Sequence, residues 1–174
     1  MHFVVNGPLV GDDWQPVGWY IDNTTKVKDF VDPASGWWNF AIDNWIFWVW
    51  VDWKPYLIPY SDIKKNEENK VQFQWAFQNW PMLIQNWVNM REKWQSTSKN
   101  SRSGIWFTPE WKMIVIYSDQ PVTFKEFAKE FKDRWCNNAI YLDWGTNYAW
   151  CADAHGSHWN LHPEAKKLQF FHQN

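Results

Sequence analysis

The chain has 174 residues, with 17 Lys and Arg against 19 Asp and Glu and a formal net charge of -2. That length suffices for one domain with its own core, and the charge balance excludes a dedicated nucleic-acid binder, which needs an excess of cations. No apolar run reaches the about 20 residues of a membrane span, no basic head with a long apolar stretch marks a secretory signal, and Cys136 and Cys151 form neither a disulfide framework nor a zinc-ligand pattern.

In chain order, Val17–Asp22 and Lys26–Phe30 read as a hairpin about Asn23-Thr24. Ile46–Val51 and Pro55–Pro59 read as strands about Asp52-Trp53, and Ser61–Lys70 as a solvated turn or short helix. Val71–Phe77 and Met82–Gln85 are strand-like, with Asn79 between them as a turn residue, and Met90–Ser103 reads as a loop. Ile105–Phe107 and Lys112–Ser118 follow as strands; the unbroken apolar run Met113–Tyr117 is expected to be a buried central strand. Thr123–Trp135 reads as a helix. Thr123 and Glu126 form a capping box, and Phe124, Phe127, Ala128 and Phe131 make an apolar stripe expected in the core. Ala139–Leu142 is a short buried strand that ends at Asp143. The pattern predicts an α+β fold: a β-rich mixed sheet with short hairpins and one amphipathic helix at about 123–135, in a single domain spanning 1–174.

The composition is abnormal in one respect: 18 Trp against 7 Gly. Tryptophan repeatedly follows Asn or Asp, as in Asn44-Trp45, Asp52-Trp53, Asn79-Trp80, Asn86-Trp87 and Asp143-Trp144. Asn-Gly and Asp-Gly are the strongest short hairpin signals, because glycine takes φ > 0 without steric penalty. Many of these tryptophans therefore stand where a turn wants glycine. A UGA codon translated as Trp, from a source that reads it as Gly, would leave this pattern. The other reading is a chain truly rich in Trp, with exposed rings that stack on sugars.

Several blocks carry a resemblance. Phe124-x-x-Phe127-Ala128-x-x-Phe131, then Trp135-Cys136-x-x-Ala139-Ile140-Tyr141-Leu142-Asp143, resembles the C-terminal signature of the phosphodiester glycosidase domain family, which has bacterial and phage members. Before it, Ser118-Asp119-Gln120-Pro121-Val122-Thr123-Phe124, Arg102-Ser103-Gly104-Ile105-Trp106 and Gln78-Asn79-Trp80-Pro81-Met82-Leu83 are similar to further family blocks. So are Asn39-Phe40 with Asn44-Trp45-Ile46-Phe47, Pro16–Ile21, and Asn6-Gly7. The blocks keep the family's order over roughly 5–148, and 149–174 reads as a divergent tail. Family glycines fall on Trp45, Trp80, Trp106, Trp135 and Trp144. The family carries further elements before the segment matching Asn6, so the N-terminal part of the domain is expected to be missing. Pro8 replaces one family glycine, and Asn147 and Tyr148 stand where the family has serines.

The resemblance implies a hydrolase that cleaves the glycosidic bond of a sugar-1-phosphodiester, such as an N-acetylglucosamine phosphodiester; no cofactor and no metal are expected. It implies a place outside the cytoplasm, at a cell surface or on a phage particle. Arg102 is the phosphate candidate, since a guanidinium forks onto phosphate oxygens; otherwise it is a surface arginine beside Lys99. Asp143, at a strand end before a glycine-type turn, is the second catalytic candidate. Asn44, Asn6 and Asn147 are candidates for substrate contact, as are His155 and His158, whose spacing also suits exposed tail histidines. Cys136 is expected to be buried and unreactive. The competing functions are a carbohydrate-binding module and an inactive structural domain of a larger cell-surface or phage protein.

Overall fold

The structure is a computed structural model, and it describes residues 2–4, 15–32, 45–50, 54–59, 62, 72–118, 120–142, 150–152 and 158–160. Two five-stranded sheets form its centre. The first comprises β2 (Tyr20–Asp22), β3 (Thr25–Lys28), β4 (Trp45–Trp50), β5 (Pro55–Pro59) and β6 (Phe73–Asn79), in the order β3-β2-β6-β4-β5. The second comprises β7 (Met82–Gln85), β8 (Val88–Asn89), β9 (Ser103–Phe107), β10 (Met113–Tyr117) and β11 (Ala139–Tyr141), in the order β10-β9-β11-β7-β8. A smaller sheet joins β1 (His2–Val4), β12 (Trp150–Ala152) and β13 (His158–Asn160). Every described pairing is antiparallel.

Side chains alternate across the strands, except at the irregularity in the β7–β11 pairing that puts Leu83 and Ile84 on one side, and this builds the layers. Met82, Ile105, Val115, Ile140 and Leu142 on one face of the second sheet pack with Leu57 and Phe77 of the first. Leu83, Ile84, Trp106, Ile116 and Tyr141 on its other face pack against helix α1 (Phe124–Asp133) through Phe127, Ala128 and Phe131. The far face of the first sheet holds Trp19, Ile21, Phe73 and Ala76. Trp19 is wholly buried, stacked on Phe30 at 4.3 Å between ring centroids.

Helix α1 begins as its sequence dictates. Thr123 Oγ1 accepts from the Glu126 N–H at 3.1 Å, and Glu126 Oε2 accepts from the Thr123 N–H at 2.7 Å. The Asn23-Thr24 hairpin also forms between β2 and β3. Met113–Tyr117 differs from expectation: it is the edge strand of its sheet. Its run is apolar because both faces are covered, Ile114 and Ile116 on the helix side and Met113 and Val115 on the sheet side. The central, fully buried strand is β11. The segment Ser61–Lys70 lies outside the described residues apart from Asp62.

Candidate active site

Backbone pairing brings four strand ends together. Chain passes from the first sheet to the second at Trp80-Pro81, between β6 and β7. Asn79, the last residue of β6, is buried and pairs in register with Trp45. Its Nδ2 donates to the Tyr141 carbonyl at 2.7 Å, so it ties β6 to β11 and is not a turn residue. The Tyr141 N–H donates to the Pro81 carbonyl at 3.1 Å, and the Leu142 N–H to the Ser103 carbonyl at 2.9 Å. Thus the immediate chain neighbours of Asn44, Arg102 and Asp143, namely Trp45, Ser103 and Leu142, all join one hydrogen-bonded junction centred on Asn79 and Tyr141.

Arg102 sits at this junction and is fully buried, not a surface arginine. Its N–H donates to Ser118 Oγ at 2.7 Å, and its carbonyl accepts from the Ser118 N–H at 2.8 Å, extending the β9–β10 ladder. Its Nε donates to the Val122 carbonyl at 2.8 Å and its Nη2 to the Ser98 carbonyl at 3.1 Å. The guanidinium lies 3.5 Å over the Phe124 ring and 5.7 Å from that of Tyr141. Phe124 therefore does more than fill the core: it is the platform under the cation. Its edges meet Trp94 at 5.1 Å, Trp80 at 6.3 Å and Tyr141 at 4.9 Å.

Among the described residues two backbone carbonyls and an aromatic face hold the Arg102 guanidinium. No carboxylate pairs with it among the described residues. Its Nη1 is buried and has no hydrogen-bond partner. Burial pushes the guanidinium below its ordinary pKa and Tyr141 acts in the opposite sense; arginine nonetheless remains a cation in proteins. A buried unpaired charge is destabilising by several kcal/mol unless an anion joins it. Cys136 is a different case: burial pushes its thiol up to about 12, which makes it inert at neutral pH.

Of the other residues singled out by sequence, Asp143, Asn44, Asn6, Asn147 and His155 lie outside the described residues, as does the His158 side chain. Val4, two residues after which comes Asn6, pairs with Trp150, three residues beyond Asn147. Ser118, Tyr141 and the carbonyls of Ser98 and Val122 were not legible as site residues, because nothing in their local sequence signals that they converge on Arg102. A cavity of about 280 Å³ lined by Tyr56, Phe107, Trp111, Asn137 and Asn138 lies at the other end of β9, away from Arg102. Among the described residues no group of three or more His, Cys, Asp or Glu could hold a metal ion. No described helix is long and apolar enough to cross a membrane.

Antiparallel sheets layered on a capped helix, with Arg102 buried at the junction of the strand ends, define an α+β domain. The sequence matches the phosphodiester glycosidase family over residues 1–168, and the chain belongs to that family. The solved catalytic domain of zebrafish N-acetylglucosamine-1-phosphodiester alpha-N-acetylglucosaminidase, auto-inhibited by its pro-peptide, is similar in fold, with a TM-score of 0.60 at 20% identity. The match covers 94% of this chain and 58% of the zebrafish chain, so this chain spans little more than half of that relative. No curated protein matches the sequence.

Proposed function

We propose that the protein is a hydrolase that cleaves the glycosidic bond of a sugar-1-phosphodiester, of the N-acetylglucosamine phosphodiester class, with Arg102 holding the phosphoryl oxygens. The observation that carries this reading is the buried guanidinium with a free Nη1 donor and no carboxylate partner among the described residues. Membership of the phosphodiester glycosidase family supports it.

The chemistry follows from charge. The diester carries one negative charge, and the departing phosphomonoester develops a second as the bond from the sugar carbon to oxygen breaks. A fixed cation in a water-poor aromatic setting stabilises that developing charge more than it stabilises the substrate. Carbon-oxygen cleavage also leaves oxocarbenium character on the sugar, which calls for a carboxylate. Asp143 is our choice, since it follows Leu142, whose N–H is bonded to Ser103 beside Arg102. Asn44, Asn6 and Asn147 are proposed to contact the sugar, and His155 and His158 to lie at the substrate's edge.

The test is hydrolysis of an N-acetylglucosamine-1-phosphodiester by the whole chain and by Arg102→Lys. Lysine keeps the charge and loses the fork. The expected loss in kcat/KM is about 10²–10³-fold, the size seen when one transition-state donor is removed. Unchanged turnover in a variant that folds would overturn the assignment of Arg102. No turnover by the parent chain would overturn the activity itself.

A further inference from the structure

Three of the residues with positive φ among those described are tryptophans: Trp87 (φ 69), Trp111 (φ 64) and Trp135 (φ 59). Each occupies a glycine position, in a different kind of turn. Trp87 follows Asn86 (φ 47) in the two-residue connection between β7 and β8. Positive φ at both residues defines a type I′ turn, whose preferred pair is Asn-Gly. Trp111 ends the β9–β10 loop. Its N–H donates to the Thr108 carbonyl at 2.9 Å, and the Thr108 N–H donates to the Lys112 carbonyl at 2.9 Å. That is a turn followed by a left-handed residue, the glycine of a G1 bulge.

Trp135 stands just past the Arg134 cap of α1. Its N–H donates to the Lys132 carbonyl at 3.0 Å, and the Cys136 N–H reaches back to the Phe131 carbonyl at 3.1 Å. Cys136 and Phe131 share the same buried cluster. This double bond pattern with its hydrophobic contact is the Schellman motif, in which glycine takes the left-handed position.

None of the three rings is buried, although that of Trp111 meets Tyr56 edge-on at 4.7 Å. Trp87, Trp111 and Trp135 are 51%, 45% and 79% exposed. Thr24 (φ 67) fills the equivalent place in the β2–β3 turn, so positive φ alone assigns nothing. Left-handed backbone, glycine-type hydrogen bonding, a ring left outside the buried core and a chain with 18 Trp to 7 Gly concur at these positions. Trp19 shows none of these features apart from composition: it is buried, with Phe30 stacked on it and Phe73 against it edge-on at 5.5 Å.

We infer that positions 87, 111 and 135 carry glycine in the protein made by its own source, where a UGA codon is read as glycine, and that Trp19 is a true tryptophan. This is independent of the proposed activity. The experiment is peptide-level mass spectrometry of the natural protein. Peptides covering 87, 111 and 135 are each expected to be lighter by the difference between tryptophan and glycine, with the Trp19 peptide at its full mass. Tryptophan at any of the three positions overturns the inference. The exposed rings would then be a genuine aromatic surface of the kind that stacks on sugars. A second measurement needs no natural source: the chain carrying Trp87→Gly, Trp111→Gly and Trp135→Gly is expected to melt at a higher temperature than the all-tryptophan chain. An equal or lower Tm counts against the inference.

Discussion

Trp19 and Trp135 are the same residue in two opposite settings. Trp19 lies beneath the first sheet with its ring enclosed by Phe30 and Phe73. Trp135 ends a helix with its ring in solvent and its backbone left-handed. At the first position the side chain supplies the stability and the backbone is indifferent. At the second the backbone conformation is what the fold requires, and the side chain only adds strain. The difference teaches that a residue type is read through its φ and its neighbours, not through its apolarity.

The comparison breaks if removing Trp19 is harmless. Trp19→Ala is expected to destabilise by about 3–5 kcal/mol, the range for deleting a large buried aromatic, as read by chemical denaturation. Next in size is Gly104→Ala. A Cβ there would lie 2.9 Å from Phe131 Cζ, 3.0 Å from the Ile140 carbonyl oxygen and 3.1 Å from Leu83 Cδ1. The expected loss is about 1–3 kcal/mol, since overpacking here strains backbone as well as side chains. Trp135→Gly alone carries the opposite sign. It is expected to gain about 1 kcal/mol, because a left-handed residue with a Cβ is strained by about 1–2 kcal/mol.

The smallest effect lies at the start of the same helix. Hydrogen bonds from the Thr123 backbone N–H and side chain hold the Glu126 carboxyl below its ordinary value of 4.5, with a minor contribution from Lys99. A depressed folded-state pKa contributes stability that is present above the unfolded value and is lost as pH falls through the folded one. Glu126→Gln should therefore lower stability slightly at neutral pH and flatten the profile below about pH 4.5, where the protonated glutamate no longer contributes it. Thermal melts across that range decide it.

Local signals were readable in sequence. The Thr123 cap and Glu126 are three residues apart, and the Asn23-Thr24 turn closes on adjacent strands. Position within a sheet was not readable. The Met113–Tyr117 run reports that both faces are covered, which is equally true of an edge strand packed between a helix and a second sheet. The surroundings of the candidate residue Arg102 were half legible. Arg102 could be picked out, but not its burial, because its platform Phe124 and its acceptor Val122 lie about twenty residues on and Tyr141 further still. Asn79 read as a turn residue because its partner, Tyr141, is 62 residues away. Long-range convergence leaves no trace in a local pattern.

The decisive measurement is whether Arg102 binds an anion. Arginine side-chain NMR of the chain would follow the Arg102 guanidinium during titration with N-acetylglucosamine-1-phosphate. Trp80→Gly would be measured in parallel, because the indole at 80 packs against the Phe124 platform. Saturable shifts and slowed exchange are expected at Arg102 Nη1, stronger with glycine at 80. Arg102 signals that stay unchanged in both chains while the ligand binds elsewhere would contradict the assignment of Arg102.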